Sequence, residues 1–79
     1  MKLRPAVLDE LRVHGVVPGP DDTPAALRER LNDAYLEDVR RLRERQRGGE
    51  IALGDYARHV EALKLSYPLL ALPVAGWTE

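Results

Sequence analysis

The stretch from Pro24 to Arg47, PAALRERLNDAYLEDVRRLRERQR, constrains this chain more than any other. At about 100° per residue, Leu27, Leu31, Ala34, Tyr35, Val39 and Leu42 fall on one side, the spacing of a helix buried along a stripe. Its start is marked by Thr23, whose hydroxyl can cap the first turn, and by Pro24, which suits the first helical position because no N–H is needed there. Asp21 and Asp22 lie close to the positive end of the helix dipole. Gly48 and Gly49 mark the stop, and Arg40, Arg41, Arg43, Arg45 and Arg47 crowd the last two turns. Glu37 and Arg41 form an i, i+4 pair in the better orientation, worth about 0.3–0.5 kcal/mol. Packing of the stripe must supply the rest of the stability. Asp38 breaks the pattern by falling inside the apolar stripe, and Leu36 breaks it by falling on the charged side.

A chain of 79 residues holds one domain, 1–79, with a small core. A monomer of that size is marginal in stability. There is no cysteine, which excludes disulfide staples and thiolate metal sites and makes a reducing cytoplasm the expected compartment. No stretch approaches the roughly 18 apolar residues of a membrane span, and no secretory apolar run is expected at the N-terminus. The formal net charge of −1 argues against a general polyanion binder.

The remaining segments read as elements packed on the long helix or leading to it. Met1 to Arg4 lead into a short helix, about 5–14, with Val7, Leu8 and Leu11 on one face. Gly15 is expected to stop it in the left-handed conformation, with Val16 folding back on Leu11. Val16-Val17-Pro18-Gly19-Pro20 is a stiff connector, and both valines are expected to plug one end of the core. A third helix, about 53–67, carries Tyr56, Val60, Leu63 and Tyr67 on one face and ends before Pro68. Its start is poorly capped, because Ala52 stands where Ser or Thr would be preferred. The short connection makes the two later helices antiparallel neighbours. A turn centred near Gly49 sets Leu42 against Tyr56, Val39 against Val60, Tyr35 against Leu63 and Leu31 against Tyr67, with Asp38 near His59. The tail, PLLALPVAGWTE, is too apolar to be free and reads as an extended arm lying on a helix face of its own chain or of a second one. The expected fold is all-α: a three-helix domain built on a hairpin.

Within this frame, residues 39–65, VRRLRERQRGGEIALGDYARHVEALKL, resemble the short C-terminal (SHOCT-type) helical hairpins. Those modules combine a charged helix, a Gly-containing turn followed by Gly-x-Ile or a close variant, a capping Ser or Thr, acidic residues with an aromatic, and a second short helix. Gly49, Ile51, Asp55, Tyr56 and Leu63 match, while Ala52 and Gly54 depart from the capping and acidic positions. The resemblance covers about a third of the chain. It implies a small interaction or oligomerisation module and no catalysis, and it names no partner.

The chemistry-bearing residues are sparse, and no catalytic constellation, cofactor motif or metal-ligand spacing is present. His14 sits in the last turn of the first helix, where its positive form suits the dipole. Asp38 with His59 has the makings of an acid–base dyad, but a dyad needs a nucleophile or a substrate pocket. The simpler expectation is that Asp38 is tied to a basic partner such as Arg41, because an unpaired buried carboxylate is costly. Tyr35, Tyr56 and Tyr67, at helical spacing on two facing stripes, read as core residues with hydroxyls at the rim.

More apolar surface exists than a three-helix core can use. Leu36 and Leu65 stand off the core stripes, and Leu69, Leu70, Leu72, Val74 and Trp77 follow in the tail. Such a patch marks an interface. The expected function is therefore a small non-catalytic cytosolic interaction or oligomerisation protein, pairing with itself as a two-fold homodimer anchored by Trp77. In the alternative packing, the arm covers Leu36 or Leu65 of its own chain. The alternative function is a nucleic-acid-associated accessory protein that contacts phosphates through Arg40, Arg41, Arg43, Arg45 and Arg47. Those arginines spread around all sides of the helix and lack interleaved aromatics.

Overall fold

The computed structural model describes residues 2–79, so the expected role of Met1 in leading into the first helix lies outside the described residues. Three α-helices form: α1 (Pro5–Val13), α2 (Pro24–Arg47) and α3 (Leu53–Leu65). The 24 residues of α2 span about 36 Å at 1.5 Å per residue, which sets the long axis of a body measuring 44 × 18 × 16 Å. The radius of gyration is 14.5 Å, against about 12 Å for a compact domain of this length.

The ends of α2 form as the residue types dictate. Thr23 accepts a hydrogen bond from the Ala26 N–H at 3.1 Å, and Pro24 opens the helix. Asp22 does not serve the first turn. Its carboxylate accepts from the Gly19 N–H at 2.7 Å and pairs with Arg30 at 3.1 Å, which ties the connector to α2. At the far end Gly49 adopts φ +84°, so the Glu50 N–H reaches the Arg45 carbonyl at 3.0 Å and the Gly49 N–H reaches that of Gln46 at 3.1 Å. This double bond pattern is a Schellman stop.

α1 ends in the same way. Gly15 adopts φ +75°, the Val16 N–H bonds the Leu11 carbonyl at 2.9 Å, and Val16 joins Leu11 in the core. Val17 does not plug the core as expected, being 64% exposed. The two Val side chains are adjacent in a connector that turns, so only one of them faces inward.

α3 follows a connection of five residues, 48–52, and contacts α2 as the second arm of a helical hairpin. It lacks a side-chain cap at Ala52 and stops at Leu65, two residues earlier than expected. The Ser66 and Tyr67 N–H groups bond back only three residues, to Leu63 and Lys64, at 3.0 Å each. Tyr67 precedes Pro68, a position that disfavours helical dihedrals, and it leaves the helix at ψ 59°.

That departure carries Tyr67 into the core, which holds Val7, Leu11, Val16, Leu27, Leu31, Tyr67, Leu69 and Trp77. The C-terminal segment is not an extended arm throughout. It makes two 3-10 turns, Pro68–Ala71 and Val74–Gly76, both contacting α2. The chain then runs beside the N-terminal segment. The Arg4 N–H bonds the Trp77 carbonyl at 3.0 Å, the Glu79 N–H bonds that of Lys2 at 3.0 Å, and Leu3 with Thr78 forms an isolated antiparallel bridge.

Candidate functional site

Placement of the tail corrects the expected interface. Trp77 is fully buried within its own chain, with its indole N–H directed at the Leu72 carbonyl at 3.3 Å, and Leu69 is also buried. Neither is free to anchor a second copy. Leu70 and Val74 are half-buried, with Leu70 packed against the core. The arm covers neither Leu36 nor Leu65, which are 53% and 83% exposed; Leu72, at 38%, is less exposed than either. The large aromatic surface of Trp77 is better satisfied by α1 and the first half of α2 than by leaving that core unfilled.

The expected meeting of Asp38 and His59 does not occur. Asp38 accepts a hydrogen bond from the Tyr67 hydroxyl at 2.5 Å and lies 3.8 Å from Arg41, while His59 is exposed. A carboxylate in the apolar stripe is thus explained by a phenol arriving from beyond the end of α3. Burial first, and then the hydrogen bond and charge of Asp38, raise the Tyr67 phenol above its ordinary value. On the other side of Tyr67 the His14 ring stacks at 3.8 Å between centroids and 16° between planes, and His14 Nε2 bonds the Ser66 carbonyl at 2.7 Å. Tyr35 meets Tyr67 edge-on at 5.3 Å. The end of α1, the middle of α2 and the end of α3 therefore converge on one tyrosine. These contacts clamp the three elements together at Tyr67.

The arginine-rich end of α2 is partly self-neutralised. Arg40 and Arg41 both pair with Glu37, and Arg45 pairs with Glu50 at 3.0 Å. The hydrogen bond to Glu37, followed by that carboxylate's charge, raises the Arg40 guanidinium above its ordinary value. Arg43 and Arg47 make no ion pair among the described residues and are exposed. Among the described residues no group of acidic, His or Cys side chains is placed to hold a metal ion, and no helix is long and apolar enough to cross a membrane.

The least satisfied surface lies on α3. This helix buries no residue fully; Tyr56, Val60 and Leu63 face inward only to half-burial, and Leu53 and Leu65 are 75% and 83% exposed. Its outward stripe is Gly54, Arg58, Glu61 and Leu65, all exposed. The spacing of four, three and four residues reads the same from either end. Nothing lies within 4 Å of where a Gly54 Cβ would stand, so one end of the stripe is uncovered backbone and a bare leucine stands at the other. The charged pair between them is bound only to helical neighbours, Arg58 to Asp55 and Glu61 to Lys64, each at 3.3 Å. Sequence reasoning marked Leu65 but missed the stripe, although its symmetric spacing was present in the letters. No protein-family model, no curated protein and no solved structure matches this chain.

Proposed function

We propose that this chain is a small, non-catalytic cytosolic interaction module that pairs with a second copy of itself through the outward face of α3. The hairpin is antiparallel in this reading, as the short connection from α2 to α3 supports. The interface lies on the hairpin and not on the arm. The observation that carries the reading is the symmetric stripe. When two copies of α3 lie antiparallel about an axis midway between His59 and Val60, Leu65 of each falls level with Gly54 of the other. Arg58 then falls level with Glu61 of the other copy. A leucine side chain meets uncovered glycine backbone and cation meets anion, twice, under one two-fold operation. A single helix face of this length stands at the small end of interfaces, below about 1,200 Å² in total, so association is weak and concentration-dependent.

Sedimentation velocity across a concentration series tests this. A reversible monomer–dimer equilibrium is expected. Leu65→Asp should abolish it, Arg58→Glu should weaken it, and Arg58→Glu combined with Glu61→Arg should restore it, because the swap keeps opposite signs facing each other. A monomer at every concentration, or a dimer indifferent to Leu65→Asp, would overturn the proposal.

A further inference from the structure

Between α2, the end of α3 and the Pro68–Ala71 turn lies a cavity of about 310 Å³, lined by Arg28, Asn32, Tyr35, Lys64, Tyr67, Leu70 and Ala71, with the Tyr67 hydroxyl already given to Asp38. Pockets for small molecules begin near about 300 Å³. Arg28, Asn32 and Tyr35 stand four and three residues apart, so one stripe of α2 forms the polar wall. Leu70 and Ala71 form an apolar wall opposite.

Arg28 is the unusual member. Its Nη2 donates to the Leu70 carbonyl at 2.9 Å in a partly buried position, which fixes the guanidinium at the cavity wall and leaves its other N–H groups available. No carboxylate lies within 4 Å of it among the described residues, and Pro24 and Asn32, one turn away on either side, carry no charge. Arg30, two residues on, has Asp22. A partly desolvated cation without a counter-ion is unfavourable, and a planar guanidinium matches a carboxylate through two parallel hydrogen bonds. Lys64 stands at the rim, held only by an exposed contact to Glu61 at 3.3 Å. The Asn32 amide and the Tyr35 hydroxyl make no side-chain hydrogen bond among the described residues and add neutral donors.

We infer that this cavity binds a small aromatic carboxylate, with the carboxylate on Arg28 and the ring against Leu70 and Ala71. One fixed guanidinium, with the Lys64 charge already shared with Glu61 at the rim, suits a singly charged, planar anion. Leu70 and Ala71 offer an apolar face against which a flat hydrocarbon body behind the carboxylate can lie. The site touches the outward stripe of α3 only through the Lys64–Glu61 pair at its rim, so binding at Arg28 is tested independently of whether the chain pairs with itself.

Titration with 2-naphthoate, followed by calorimetry and amide chemical shifts, tests the inference. Saturable binding is expected, with shifts centred on Asn32, Leu70 and Ala71. The neutral analogue 2-naphthamide and inorganic phosphate should each bind about tenfold more weakly or worse. Arg28→Gln should cost about ten- to a hundredfold in affinity, the worth of a charge-assisted hydrogen bond. Lys64→Gln, which removes only a rim contact, should cost less. Should Arg28→Gln fail to fold, the comparison of acid with amide on the unaltered protein and the Lys64→Gln variant decide the matter. Equal binding of acid and amide, phosphate binding as tightly as naphthoate, or no saturable binding in the millimolar range would overturn it.

Discussion

The two halves of α2 live in different surroundings. In the first half, Leu27 and Leu31 are 0% and 1% exposed, surrounded by α1, the connector and the C-terminal turns. In the second half, Leu42 and the neighbouring Ile51 are the buried residues, and α3 contributes no fully buried side chain. The stops that close α1 and α2 show the same contrast. Their backbone bonds are alike, yet the side chains that accompany them are Leu11 with Val16 at one and Arg45 with Glu50 at the other. One stop is sealed by burial and the other by a surface ion pair worth about 0–1 kcal/mol. Cohesion is thus concentrated at one end of the rod. The other end is a hairpin held by partial burial and by the Tyr67 clamp, and regions of that kind open at lower free energy than the whole molecule.

The largest expected effect separates the halves. Trp77→Ala should cost about 3–5 kcal/mol, a large share of the stability of any domain this small, and should abolish cooperative unfolding followed by circular dichroism. Leu42→Ala should cost about 2–3 kcal/mol and act locally, accelerating amide exchange in 40–60 more than in α1. Equal losses of protection at both ends in Leu42→Ala would remove the contrast.

Next comes the clamp. Tyr67→Phe keeps the buried ring and deletes the bond to Asp38, so a loss of about 1–3 kcal/mol is expected, read from denaturant midpoints. The raised phenol also fixes a sign. The folded state holds this proton more tightly than the unfolded chain does, so its contribution is complete below the ordinary value of 10.0 and declines as pH rises above it. The midpoint of the unaltered protein should therefore fall more steeply above about pH 10 than that of Tyr67→Phe. Parallel alkaline slopes would show that Tyr67 does not carry the effect.

The smallest effect compares the glycines. Gly15 and Gly49 have φ +75° and +84° and open space where a Cβ would stand. Alanine at either should cost about 1–2 kcal/mol through the backbone alone. Gly15→Ala should lower the global melting temperature by about 4–8 °C per kcal/mol, and Gly49→Ala should register mainly as faster exchange at the hairpin tip.

The elements legible in the sequence were those set by local chemistry. The limits of α2 followed from Thr23, Pro24 and the paired glycines, and the α1 stop followed from Gly15 with Val16. What the letters did not carry was the identity of surfaces that meet across long separations. The apolar composition of the tail shows that Trp77 needs cover but not that the core of the same chain provides it. Asp38 was rightly expected to need a partner, yet that partner left α3 because Pro68 follows it, so the register drawn from helical spacing pointed to His59. Nothing in the letters singles out Arg28, because its place depends on a carbonyl 42 residues away.

The pairing of Lys2 with Glu79 brings the two extremities of the described chain side by side, 3.0 Å apart at the backbone. That contact closes a loop around almost the whole described chain, so its cost in chain freedom grows only slowly with length and is shared by everything packed between residues 2 and 79.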